Sequence, residues 1–235
     1  MKLGLAALAL LAFAAGCSQK ETTSSSNIRT QGIAATMKVT TGGQNSSVEA
    51  ILRVGGDESN TYVILENGDK LTCEAGGETK DLHAEAEGIY RNTFATGAEN
   101  TEFKIALLRD KDDDAVSNSV KLPAPFKIGA LPSNNPSREK DDVTITWDPS
   151  GGSDDMTLDV TGSCIFDEHV DLPGDSGSYT LAKGSLESTG GSNPESCDLD
   201  VTIMRTRNGT TDTNLDNEST FKAIQQQTSK FTSAP

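Results

Sequence analysis

Histidine is almost missing from this chain: its 235 residues include two, His83 and His169, and they stand alone. Two isolated imidazoles leave no cluster of soft ligands at a spacing that would hold a transition metal. Aromatic residues make up 5%, with Trp147 the single tryptophan, and 20 basic residues face 35 acidic ones for a net charge of -15. A charge of that sign repels nucleic acid and anionic headgroups, so the sequence predicts no nucleic-acid partner. No glycine-rich phosphate loop follows a strand and opens a helix. Beyond the first apolar run nothing is long enough to cross a bilayer, and almost nothing repeats with a helical period.

What is present begins at the amino terminus. Met1 and Lys2 give a short positive region, and residues 3–13 form an uncharged apolar run, the pattern of a secretory signal. Ala14-Ala15-Gly16-Cys17 then resembles the lipobox of bacterial lipoproteins. That resemblance implies a signal peptide over residues 1–16, cleavage before Cys17, and acyl chains on the sulfur and nitrogen of Cys17. Two or more such chains hold a protein stably on a membrane. Residue 18 is serine, not the aspartate that often retains such proteins in the inner membrane, so the expected address is the outer membrane. Residues 18–31 are dominated by Ser, Thr, Gln and Asn, too polar to offset the entropy of ordering. Residues 17–31 therefore read as a lipidated cysteine and a disordered tether.

The rest of the chain carries 22 glycines and many short apolar alternations between Gly, Asn, Asp and Ser clusters, as in antiparallel sheets with one wet face. Ile33, Ala35, Met37 and Val39 alternate, as do Val48, Ala50, Leu52 and Val54, and then Phe103, Ile105 and Leu107. Segments 61–65, 70–74, 89–94 and 116–122 complete about seven strands, with a turn at Asn67-Gly68-Asp69. Leu122-Pro123-Ala124-Pro125-Phe126 cannot continue a ladder and stiffens a crossing. The predicted units are residues 32–125 and 126–235, each near the usual size of a sandwich.

The second unit carries a family signal. Val143-Thr144-Ile145-Thr146-Trp147-Asp148-Pro149 resembles strand B of fibronectin type III domains. Gly177-Ser178-Tyr179-Thr180-Leu181 is similar to strand E, and Cys197 to Ile203 with Asn208-Gly209 is similar to strand F and its turn. The resemblance covers roughly residues 130–230 and implies an all-β protein of two tandem immunoglobulin-like, fibronectin type III-like sandwiches. One departure stands out, since Cys197 lies where the family usually has a tyrosine. In the implied topology Cys164 ends strand C and Cys197 begins the adjacent antiparallel strand F, which makes Cys164 and Cys197 the expected disulfide in an oxidising compartment. Cys73 is then left as a small buried thiol in a strand.

Two segments carry residues of chemical interest. Gly174-Asp175-Ser176-Gly177 resembles the nucleophile segment of chymotrypsin-like proteases, but neither histidine sits in the motif that supplies that family's base, so the tetrapeptide reads as a turn and the chain as no enzyme. The run Asp110, Asp112, Asp113, Asp114 has Ala115 and Lys121 where an EF-hand needs glycine and glutamate, and it reads as a solvated turn at the pole away from the junction. In a head-to-tail pair, the loops of the second unit facing the junction would gather Asp148, Asp154, Asp155, Asp212 and Asp216, a candidate calcium site. The expected function is a membrane-anchored, non-enzymatic binding or structural module of the cell envelope, facing a protein or glycan partner. The alternative is an accessory subunit or chaperone-like partner of an envelope enzyme or export complex.

Overall fold

The structure is a computed structural model and describes residues 20–191 and 194–235. The signal segment and Cys17 lie outside these residues. Among the described residues no helix is long and apolar enough to cross a membrane.

The first unit is built from β1 (Glu21–Ser24), β2 (Ile33–Thr41), β3 (Ser46–Val54), β4 (Thr61–Ile64), β5 (Lys70–Ala75), β6 (Glu78–Asp81), β7 (His83–Ala86), β8 (Ile89–Phe94), β9 (Glu102–Leu108) and β10 (Ala115–Lys121). The second comprises β11 (Lys127–Ile128), β12 (Val143–Asp148), β13 (Asp155–Thr161), β14 (Glu168–Leu172), β15 (Ser178–Leu181), β16 (Cys197–Asn208) and β17 (Thr220–Ser233). In the first unit β2, β3 and β8 face the sheet ordered β10-β9-β5-β6. In the second, β11-β12-β15 faces β17-β16-β13-β14. Both units are thus all-β sandwiches with the strand plan of immunoglobulin-like domains.

The alternation read from sequence is the alternation that packs. Ile33, Ala35, Met37 and Val39 are buried on one face of β2, opposite Val48, Ala50 and Leu52 of β3. They meet Leu71, Cys73, Phe103, Ile105 and Leu107 from the other sheet in one core. Trp147 joins Ile145, Leu158, Val201, Ile203 and Phe231 in a second core.

The two sandwiches are not beads on a string. β16 and β17 are 12 and 14 residues long, and all of β16, Cys197 to Asn208, pairs with Lys222 to Ser233 of β17 as one hairpin. The distal half of that hairpin leaves its own sandwich: Thr220–Gln225 of β17 pairs in parallel with Thr36–Thr41 of β2. One ten-stranded sheet therefore runs through both units. Leu215, Phe221 and Ala223 enter the first core, so the expected boundary at 125/126 is corrected: part of the segment 126–235 belongs physically to the first sandwich.

A second correction concerns the tether. Residues 21–24 form β1, which runs parallel to β4, and Ser25–Asn27 and Thr30–Gly32 are short 3-10 turns. Backbone hydrogen bonding does not depend on side-chain hydropathy, and a polar segment can be held by it when an edge is free. The described part of the expected tether, from Lys20 onward, is accordingly packed on the first sandwich.

Candidate functional site

The feature that distinguishes this molecule is the seam where the β16–β17 hairpin closes the first sandwich. On one side β17 extends the sheet of β2; on the other, Thr210 forms an antiparallel bridge with Ser119 of β10, through Ser119 N–H to Thr210 O at 3.0 Å and Thr210 N–H to Ser119 O at 2.8 Å. Gly209 allows this approach, because a Cβ there would stand 2.3 Å from the Ser119 carbonyl oxygen and 2.7 Å from Val120 Cβ. In the parallel register Met37 lies beside Phe221 and Val39 beside Ala223, all four buried. Burying a Phe or Leu side chain contributes about 1.5–3 kcal/mol each, so Phe221 and Leu215 are substantial parts of the first core.

Polar groups fix the tip. Asp212 accepts from Ser117 N–H at 2.7 Å, its own N–H donates to Asn118 Oδ1 at 2.8 Å, and Asn118 donates to the Ile105 and Ala115 carbonyls. Burial pushes the Asp212 carboxyl up, but the N–H groups of Asn214, Ser117 and Val116 outweigh it and hold the group below its ordinary range. Ser219 Oγ accepts from Ala35 N–H at 3.0 Å, and Asp216 N–H donates to the Ile33 carbonyl at 3.0 Å. Asn214 Nδ2 donates to the Asp114 carbonyl at 2.8 Å, although the run 110–114 precedes the end of β10 away from the linker, the remote pole that the sequence predicted. The extended hairpin reaches it.

Near the junction two arginines on β16 tie the units together. Arg207 donates to both carboxylate oxygens of Asp154, at 2.7 and 2.8 Å, and also to Asn100 Oδ1 and the Leu122 carbonyl. It thereby holds a loop of the second unit, a loop of the first and the linker at once. Arg205 is buried, donating to Asp175 at 2.6 Å and to the Ala124 and Pro149 carbonyls, with its guanidinium 4.9 Å from the Phe126 ring centroid. Asp175 also accepts from Trp147 Nε1 at 2.6 Å and Gly152 N–H at 2.9 Å. The tetrapeptide 174–177 is therefore a structural turn whose aspartate satisfies a buried arginine and the core tryptophan. Removing one partner of such a buried pair typically costs about 3–5 kcal/mol, although the intact pair is not by itself a net stabiliser.

The N-terminal segment is held by a third arginine. Arg109 donates to Asp69 at 2.8 Å with both side chains nearly inaccessible, and to Thr30 Oγ1 and the Ser25 and Ile28 carbonyls. Asp112 accepts from Thr30 N–H at 2.6 Å. The acidic run expected to be a solvated turn is thus part of a clamp on residues 25–30.

The five carboxylates expected to bind calcium do not come together. Asp154 is engaged by Arg207; Asp148 lies on β12 and Asp155 opens β13; Asp212 and Asp216 are carried away along the first sandwich. The five β17 residue steps from Gln225 back to Thr220 displace the hairpin by roughly 17 Å at the rise of a strand. Among the described residues no group of three or more His, Cys, Asp or Glu is placed to hold a metal ion.

Cys164 and Cys197 form the expected disulfide. Arg138 lies against it, its Nη1 3.3 Å from Cys164 Sγ, and donates to the Glu195 carbonyl at 2.8 Å; desolvation lowers its pKa. Cys73 is buried and its thiol is pushed up to about 12 by burial and Glu74, which leaves it unreactive. His83 is exposed on β7, while His169 pairs with Asp159 at 2.5 Å, the hydrogen bond that raises its pKa.

Sequence reasoning missed Arg205, Arg207, the pairing of Asp175 with Arg205 and Trp147, and the first-core role of Leu215, Phe221 and Ala223. A signal for the last was present. The apolar alternation Phe221, Ala223 gives way to Gln225-Gln226-Gln227 before Phe231, marking where one strand leaves one core and enters the next.

No protein-family model matches the chain, and no curated protein matches it in sequence. Among solved structures it is similar to the FN1–FN3 domains of chicken CNTN1, at 10% identity over 88% of this chain and 71% of that one, with a TM-score of 0.33. A two-domain fibronectin type III segment from chicken tenascin matches at 10% identity over 86% and 99%, with a TM-score of 0.25. Domains A168–A170 from titin match at 12% over 85% and 61%, with a TM-score of 0.23. The sandwich assignment rests on the strand order and pairing described above.

Proposed function

We propose that this chain is a lipid-anchored lipoprotein of the bacterial outer membrane whose two sandwiches act as a non-enzymatic structural and binding module. The observation that supports the scaffold reading is the shared hairpin: β16 and β17 join both sandwiches in a single continuous sheet. The buried ion pairs Arg205 with Asp175 and Arg109 with Asp69 are spent on holding backbone and linker in place, as suits a scaffold. In this reading acylation at Cys17 fixes the amino-terminal side at the membrane, and the sandwich pair extends from it to meet a protein or glycan of the envelope. The test is affinity capture of the full-length protein from gently solubilised native membranes beside a Cys17→Ala form, with bound proteins identified by mass spectrometry. A partner retained by the native chain and lost with Cys17→Ala supports the reading, whereas identical membrane fractionation of the two forms contradicts it.

A further inference from the structure

The hairpin that closes the first sandwich is donated from the far side of a short linker, and its donor and acceptor are separable. Among the described residues the second core draws on β17 through Phe231 alone, and its disulfide lies at the end of the hairpin away from its tip. The acceptor is the seam between β2 and β10, where Phe221, Ala223 and Leu215 complete the first core. The units are joined covalently through segment 122–126, which forms no strand and carries Pro123 and Pro125 between Leu122, buried in the first core, and Phe126, buried in the second.

From this arrangement we infer that the chain can exchange its hairpin with a second copy of itself. Swinging the second unit about the linker removes β17 from its own β2 and offers the same six-residue pairing edge, the same Phe221 and Ala223, to the β2 of another molecule. The exchanged contacts are those of the closed monomer, so the two forms differ mainly in linker conformation and in concentration dependence. A short linker holds the donor at an effective concentration in the millimolar range, which favours the closed form when protein is dilute. A reciprocal exchange leaves no acceptor empty and closes as a symmetric pair. Crowding of lipid-anchored copies on a membrane would raise the exchanged fraction, but the inference does not require the anchor.

The experiment uses two full-length chains in a Cys17→Ala background, one carrying Lys38→Cys and the other Lys222→Cys. Lys38 and Lys222 are exposed partners in the parallel register, so neither substitution touches the core. Neighbouring strands place paired Cα atoms about 5 Å apart, within reach of a disulfide. The chains are mixed, unfolded, refolded together at high protein concentration and oxidised. Exchange predicts a disulfide-linked heterodimer joined through positions 38 and 222, at about tenfold the yield of a Lys38→Cys and Lys230→Cys mixture, and a return toward uncrosslinked monomer when refolding is dilute. A single chain carrying both substitutions should lock as an internally crosslinked monomer. Interchain yield no higher than that of the out-of-register mixture, with the doubly substituted chain crosslinked internally, overturns the inference, because it shows that the pair can react and does not meet between molecules.

Discussion

The two sandwiches share one strand plan and differ in what closes them. The second has its core tryptophan, a buried Arg205 and Asp175 pair beneath it, and a disulfide between Cys164, in the turn after β13, and Cys197, which opens β16. The first has no disulfide among its described residues and borrows Leu215, Phe221 and Ala223 from the other end of the chain. A domain's stability is therefore not a property of its contiguous segment, and here the first unit depends on the second more than the reverse.

β17 allows that asymmetry to be broken one end at a time. Phe221→Ala and Phe231→Ala remove the same side chain from the same strand, each at a cost of about 3–5 kcal/mol if it leaves a cavity. The first is expected to lower protection of β2 and β10 amides against hydrogen exchange while Trp147 fluorescence keeps its native value. The second is expected to do the opposite. Equal loss in both units for either variant would mean that the two cores unfold as one.

A smaller effect sharpens the comparison at the amino-terminal side. Burial raises the Asp69 carboxyl pKa, but the Asp110 N–H, the Ser25 hydroxyl and the Arg109 guanidinium outweigh it, so the folded value lies below the ordinary 3.8. A depressed carboxyl contributes stability that is present above the unfolded pKa and lost as pH falls through the folded one. Acidification from just above 3.8 downward should thus release residues 21–32 from the clamp before the second unit changes. Amide signals of Thr22 and Thr23 followed by NMR against pH report this, and signals that hold until global unfolding would refute it.

Much of the sandwich plan was legible because alternation in β2, β3, β9 and β12 is the direct imprint of one buried face. β6 and β7 escaped notice because Glu78–Asp81 and His83–Ala86 are largely exposed edge strands with almost no apolar alternation. The Cys164 and Cys197 bridge followed from the family resemblance. The hairpin's reach did not, since period alone marks which face of β17 is buried and is silent about which core receives it. The expected calcium site failed for the same reason: its carboxylates were placed by assuming a loop that stops at the junction, and strands of 12 and 14 residues carry that loop onward.

The shared hairpin is tested most directly by producing residues 20–125 alone and recording their thermal unfolding by circular dichroism, with and without an equimolar 126–235 fragment. The borrowed core predicts no cooperative transition for the first half alone and a transition regained when the second half is added. A first half that melts cooperatively by itself, at the temperature at which its β2 and β10 amides lose protection in the intact chain, would contradict it.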